Sequence, residues 1–189
     1  MKGREKLYFD SFREVVKAVH STLEIKEVLK LLGKKVTKVM GVKGCAIRLL
    51  DPTKRTLELV SSYGLSEKYV GKGSVDADRS IAEVMKGKTV YISNARKDPR
   101  VQYQKEAIEE GIYGIVSVPF IIKRRVIGVL RLYTKKPRVF SKAEIIFIEA
   151  LAEIGAIAVE NARMYEEIRK DYENMMSDLY TFVGYRRSI

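Results

Sequence analysis

The chain has 189 residues, 46% of them hydrophobic, which suits one domain with a sizeable core and some helical extension and leaves little room for two. Its single cysteine, Cys45, excludes an intramolecular disulfide and any centre needing several thiolates, and its single histidine, His20, argues against histidine-based metal clusters. The net charge of +12 raises nucleic acid or an anionic membrane as partners. The excess, however, is dispersed over Lys34-Lys35, Arg96-Lys97, Lys123-Arg124-Arg125, Lys135-Lys136 and Arg186-Arg187, and no nucleic-acid-binding signature accompanies it.

No apolar run reaches the roughly 18 residues of a membrane span. The charged start Met1-Lys2-Gly3-Arg4-Glu5 lacks the apolar stretch of a signal peptide. A soluble, cytoplasmic protein without a membrane partner is expected.

In chain order, Tyr8, Phe12, Val15 and Val19 are spaced as one face of a first helix. Ser21-Thr22-Leu23-Glu24 has the form of a capping box opening a second helix. Ile25, Val28, Leu29, Leu32, Val36 and Val39 supply that helix's buried stripe, and Gly41 ends it. Strands follow over Gly44 to Leu50 and Thr56 to Tyr63, joined by the turn-forming Asp51-Pro52-Thr53-Lys54-Arg55 as a hairpin.

The middle of the chain is less regular. Ser80 to Met85 reads as a short helix closed by Gly87, with Asp76 and Asp78 before it as caps. Thr89 to Ile92 reads as a short strand, then a polar loop from Ser93 to about Gln104 leads to a helix ending at Gly111. Ile115 to Ile122 and Val126 to Tyr133 are strong strands, and the Lys123-Arg124-Arg125 link is too short for anything but an antiparallel hairpin. Ser141 to Glu144 forms a second capping box and opens the last helix.

That helix carries two interleaved seven-residue repeats. Leu151, Ala158, Tyr165, Tyr172 and Leu179 form one, and Ile154, Asn161, Ile168, Met175 and Phe182 the other, as an a/d seam. Asn161 is its one polar member. Near Leu151 the seam would equally serve to lay the helix on its own sheet, since Ile145 and Ile148 are also apolar. Beyond Met164, charged residues fill the remaining positions and no sheet is left to cover the stripe. A partner helix is expected there, in a homodimer.

Constellations for catalysis are missing from the sequence. Gly71-Lys72-Gly73 is a lone loop fragment rather than a phosphate loop. Cys45 alternates with Ile47 and Leu49 on one face of a strand, as a small buried residue would, and no base is at hand to make it a nucleophile. No enzyme activity, metal or cofactor is expected.

Several stretches in order resemble a GAF domain. They are Cys45-Ala46-Ile47-Arg48-Leu49-Leu50-Asp51, Asn94-Ala95 with Asp98 and Pro99, Gly111 to Phe120, Val126 to Tyr133, Phe140-Ser141, and Ala152 to Ala162. The resemblance spans about residues 20 to 165. It implies an α+β fold, with a central antiparallel sheet, the terminal helices on one face and a ligand pocket on the other, under residues 65 to 111. It also implies a sensor that binds a small molecule and signals to a downstream protein or output domain. The Asn-Lys-Phe-Asp-Glu signature of cyclic-nucleotide-binding members, the Cys-His pair of bilin-binding members and the several cysteines of methionine sulfoxide reductases are not found here.

The expected organisation is a dimer-bundle helix over residues 1–20, a sensor domain over 21–165 and a coiled-coil extension over 166–189. The expected dimer interface is Leu151, Ile154, Ala158, Asn161, Tyr165, Ile168, Tyr172, Met175 and Leu179. Alternation puts Arg48, Ser117, Arg131 and Tyr133 on the face that the family uses for its pocket. The family sets its first and last strands side by side, so the two arginines would converge on a carboxylate or phosphate. Alternatively both reach past the rim into solvent or pair with acids such as Glu58. A small reductase on the same fold and a basic nucleic-acid-associated adaptor remain the other functional readings.

Overall fold

The computed structural model describes residues 2–22, 24–51, 53, 56–77 and 81–186, with side chains described as far as residue 179. Helices α1 (Lys2–Ser21) and α2 (Ile25–Met40) lead into the hairpin of β1 (Gly44–Asp51) and β2 (Thr56–Tyr63). The elements α3 (Glu67–Val70), β3 (Val75–Asp76), α4 (Ala82–Met85), β4 (Val90–Ile92) and α5 (Gln104–Glu109) form the irregular middle. The hairpin of β5 (Gly114–Ile122) and β6 (Arg125–Thr134) follows, and α6 (Lys142–Arg186) ends the chain.

The strands form one curled antiparallel sheet in the order β3-β2-β1-β6-β5-β4, which places β1 beside β6 at its centre. The α+β architecture is therefore the one expected. Strand alternation sorts the two faces. Cys45, Ile47, Val116, Val118, Phe120, Leu130 and Leu132 are buried under Val15 of α1, Leu29, Leu32 and Val36 of α2, and Ile148, Leu151, Ala156 and Val159 of α6. The three long helices thus lie on one face. Tyr8 of α1 stacks on Phe147 of α6 with ring centroids 4.6 Å apart, tying the chain's first helix to its last.

At Gly155 α6 lies close against the sheet. A Cβ there would stand 2.7 Å from Phe120 Cζ and 2.9 Å from Leu32 Cδ1, so only glycine admits this approach. Gly128, by contrast, serves the sheet itself. A Cβ on it would meet the Arg48 carbonyl at 2.5 Å and Leu49 Cδ2 at 2.8 Å, so it allows close approach to β1 within the sheet.

The second capping box forms as expected. Glu144 Oε2 accepts from Ser141 N–H at 2.8 Å, and Ser141 Oγ accepts from Glu144 N–H at 3.2 Å. Glu144 Oε1 also accepts from Arg138 Nη2 at 2.7 Å, while Arg138 Nη1 donates to the Met40 carbonyl at the end of α2. Burial alone would raise the Glu144 carboxyl, but the bonds from Ser141 and Arg138 hold it below 4.5. A carboxyl lowered on folding stabilises the fold at neutral pH and loses that contribution as pH falls past 4.5. Glu144→Gln is expected to cost about 1–3 kcal/mol at pH 7, the range for removing a charged hydrogen-bond partner. The urea midpoint measures it, and the gap from wild type should narrow in acid.

The first capping box does not form. Ser21 still belongs to α1, where its hydroxyl donates to the Ala18 carbonyl at 3.2 Å. Thr22 Oγ1 accepts from Glu24 N–H at 3.0 Å, and α2 starts at Glu24 with no side-chain cap bond. The Asp76 cap is corrected too. Asp76 lies in β3, and α4 begins after Ile81, which makes no side-chain cap bond. Asp78 and Ser80, expected as a cap and a helix start, lie outside the described residues, as does the Phe182 side chain. The short α3 and β3 were not expected.

In α6 the stripe expected as a seam from Leu151 changes surroundings along its length. Leu151 is 0% and Ala158 6% exposed, both used by the domain's own core, and Ile154 packs against that core as well. From Tyr165 onward Ile168, Tyr172, Met175 and Leu179 are all at least half or nearly half exposed.

Candidate functional site

The face of the sheet away from the long helices is closed by the irregular middle. Tyr69 of α3, Ala95, Val101, Ala107 of α5 and Ile112 pack over Ala46, Ile115 and Tyr133. Val75, Ile81 and Val84 pack over Leu57 and Val129. Two apolar clusters thus cover this face, and the polar residues expected here lie among them.

Register fixes their positions. Ser117 of β5 pairs with Arg131 of β6, which pairs with Ala46 of β1. One row along, Val129 pairs with Arg48. Arg48 and Arg131 are therefore diagonal neighbours on one face of adjacent strands, close enough for their long side chains to meet. The β1–β2 ladder shifts register between Ile47 and Arg48, a bulge of the kind that re-aims a side chain.

Neither arginine reaches solvent: Arg48 is 1% and Arg131 4% exposed, and Ser117 is buried with them. Nor does either reach a carboxylate among the described residues; Glu58 instead accepts from the Thr56 hydroxyl at 2.9 Å. Arg48 Nη1 donates to the Leu57 carbonyl at 3.0 Å. Arg48 Nε and Nη2, Arg131 Nε and Nη2, and the Tyr133 hydroxyl have no hydrogen-bond partner among the described residues. Burial lowers the Arg48 pKa, and Arg131 adds to this against the opposing influence of Tyr133.

A third cation joins from the cover. Lys72 Nζ donates to the Tyr69 carbonyl at 3.0 Å, and lies 3.3 Å from the centre of the Tyr69 ring and 5.7 Å from that of Tyr103. Gly73, at φ +109, makes the turn that only glycine readily adopts, and a Cβ there would crowd the Tyr103 hydroxyl at 3.2 Å. Tyr103 in turn donates to the Ser74 carbonyl at 2.8 Å. Tyr69 meets Tyr133 edge-on with ring centroids 5.6 Å apart. Lys72, Tyr69 and Tyr103 were missed in the sequence; the one available signal was the Gly71-Lys72-Gly73 fragment.

The arrangement can hold a negative charge. A guanidinium keeps its proton in proteins, so both arginines are cations, and burying an unpaired ion costs several kcal/mol. Forked N–H donors from two strands, a phenol and a serine hydroxyl are groups of the kind that pair with a carboxylate or phosphate.

Elsewhere the chain holds less chemistry. Cys45 is buried, donates to the Gly33 carbonyl at 3.4 Å and has its thiol pushed up by burial to about 11, away from thiolate reactivity. His20 is exposed on α1. Among the described residues no group of three His, Cys, Asp or Glu side chains could hold a metal ion, and no helix is long and apolar enough to cross a membrane.

The formate hydrogenlyase transcriptional activator of Salmonella typhimurium is 27% identical over 179 residues, which covers 89% of this chain. The match covers 26% of that protein, so the chain spans about a quarter of the length of this curated relative. The GAF domain of a phosphoenolpyruvate-protein phosphotransferase from Coxiella burnetii has a similar structure, with a TM-score of 0.75 at 20% identity over 85% of this chain and 96% of that one. The free methionine-R-sulfoxide reductase from Neisseria meningitidis, solved with its substrate, is similar at a TM-score of 0.71 and 18% identity over 84% and 91%. These two likenesses carry the fold alone. The sequence itself matches the family model of the GAF domain over residues 22–160, and the chain belongs to the GAF domain family.

Proposed function

We propose that this chain is a non-catalytic, anion-sensing domain of a cytoplasmic regulatory protein. It binds a small carboxylate or phosphate compound between Arg48 and Arg131 and signals through α6, along which two copies pair. The observation that carries this reading is the pair of buried guanidiniums whose nitrogens Nε and Nη2 lack partners among the described residues. Ser117 and Tyr133 complete the donor set. A transcriptional activator among the relatives supports a regulatory setting, in which this domain would govern an output carried by another part of a longer protein or by a separate partner.

A reductase built on this fold, as in the Neisseria enzyme, would need a reactive thiol. The buried Cys45, with its raised pKa, gives that reading no support.

Thermal-shift measurements in a buffer free of multivalent anions test the proposal. Sulfate, phosphate and a series of mono- and dicarboxylates are the probes. An anion at 100 times its dissociation constant stabilises the folded state by about 2.7 kcal/mol. For a domain of this size that raises the melting temperature by roughly 5–10 °C. A hit list of neutral apolar compounds only would remove the anion site.

A further inference from the structure

Resting on the anion-site reading, we propose that Lys72 is the third cation on the same bound anion and takes up a proton as the anion enters. The site then takes a dianion in preference to a monoanion, and it reports anion and pH together.

The geometry comes first. Lys72 belongs to the cover rather than the sheet; its ammonium lies against the Tyr69 ring, which itself meets Tyr133 edge-on, and it is near enough to Arg48 and Arg131 to feel their charges. Among the described residues its one hydrogen bond is to the Tyr69 carbonyl, which leaves ammonium protons for a further acceptor. Around it stand Arg48 from β1, Arg131 from β6, Tyr69 from α3, Tyr103 before α5, Glu106 from α5 and Glu110 just after it.

Glu106 and Glu110 offset part of the positive charge. Glu110 is already engaged by Lys43 Nζ at 2.8 Å and by the Ser66 hydroxyl, which together lower its pKa against burial. Burial, followed by the Arg48 and Arg131 charges, brings the Lys72 ammonium down to about 7. An anion placed between the three cations reverses the electrostatic part of that shift.

The sign follows from linkage. Below about pH 7, Lys72 is charged whether or not the site is filled, and binding moves no proton. Between about 7 and the higher value in the filled site, the empty protein carries neutral Lys72 and the filled protein charged Lys72. Binding therefore takes up close to one proton, and affinity falls about tenfold per pH unit. Carboxylates and guanidiniums belong to classes that do not titrate between pH 7 and 9.

Isothermal titration of the whole chain with sulfate and with oxalate, two dianions of constant charge in this range, is the test. Repeating it in buffers of different ionisation enthalpy counts the protons. The expected result is almost no uptake at pH 6, close to one proton at pH 8, and a slope near tenfold per pH unit above 7. Lys72→Met should still bind, at least tenfold more weakly at pH 6, with no uptake at either pH. Lys72→Arg should bind with an affinity that is flat with pH. If wild type binds these anions without taking up a proton, or if Lys72→Met keeps the uptake, the role of Lys72 is overturned and the arginine site stands. If neither dianion binds wild type, the anion site is overturned together with the role of Lys72.

Discussion

Replacing Arg131 with methionine is expected to raise the stability of the empty domain and, at the same time, to end its stabilisation by anions. Most substitutions of a buried side chain do the reverse. Here the native residue is an ion with 4% exposure and no hydrogen-bond partner for two of its nitrogens among the described residues, beside a second buried guanidinium. A methionine of similar length fills the space without that desolvation penalty and removes the repulsion on Arg48. Exchanging buried ionic groups for apolar ones is neutral or stabilises by about 1–4 kcal/mol. Urea titration in an anion-free buffer measures the first effect, and thermal shift with the best anion measures the second. A variant less stable than wild type when empty would mean that the arginine is satisfied by the protein itself, and the case for a binding site would fall.

Glutamate at both Ile168 and Met175 is expected to turn a homodimer into a monomer and leave the sheet domain folded. The two side chains are 66% and 63% exposed and sit one heptad apart on a stretch of α6 that the other described residues leave largely uncovered. Pairing that stripe with a second copy removes apolar surface from water, and a carboxylate in such a seam must be desolvated with no partner. A combined penalty of about 2.8 kcal/mol already weakens association a hundredfold. Light scattering should give twice the 21.6 kDa chain mass for wild type and the single mass for the variant, with unchanged melting of the sheet domain. A wild-type monomer at high concentration would end the dimer proposal.

The sheet and its two faces were legible because strand period and pleat coincide: Cys45, Ile47 and Leu49 could point only one way and Arg48 the other. The convergence of Arg48 and Arg131 needed one further fact, the β1–β6 pairing, which the family resemblance supplied. Their burial was not legible, since it depends on a cover made of pieces too short to carry a period. The four residues of α3 and the two of β3 are held by tertiary contact instead. Lys72 was hidden for the same reason, because its position rests on the Gly73 turn and on two tyrosines far apart in sequence. The same four-residue pattern succeeded at Ser141 and failed at Ser21. At Ser21 the preceding helix runs through the serine and uses its hydroxyl, a competition that spacing alone does not reveal.

The glycine contact between α6 and the sheet sets a mechanical ratio. Phe120, against which Gly155 rests, belongs to the strand that presents Ser117 to the buried arginines from its other face. Leu179 stands 24 residues further along the helix, about 36 Å from that fulcrum at 1.5 Å per residue. A tilt of about 10° at Gly155 therefore swings Leu179 by roughly 6 Å, more than a helix radius, while the backbone at the fulcrum barely moves. In the proposed reading, where α6 carries the output, this contact would be the fulcrum of a lever with a short input arm and a long output arm.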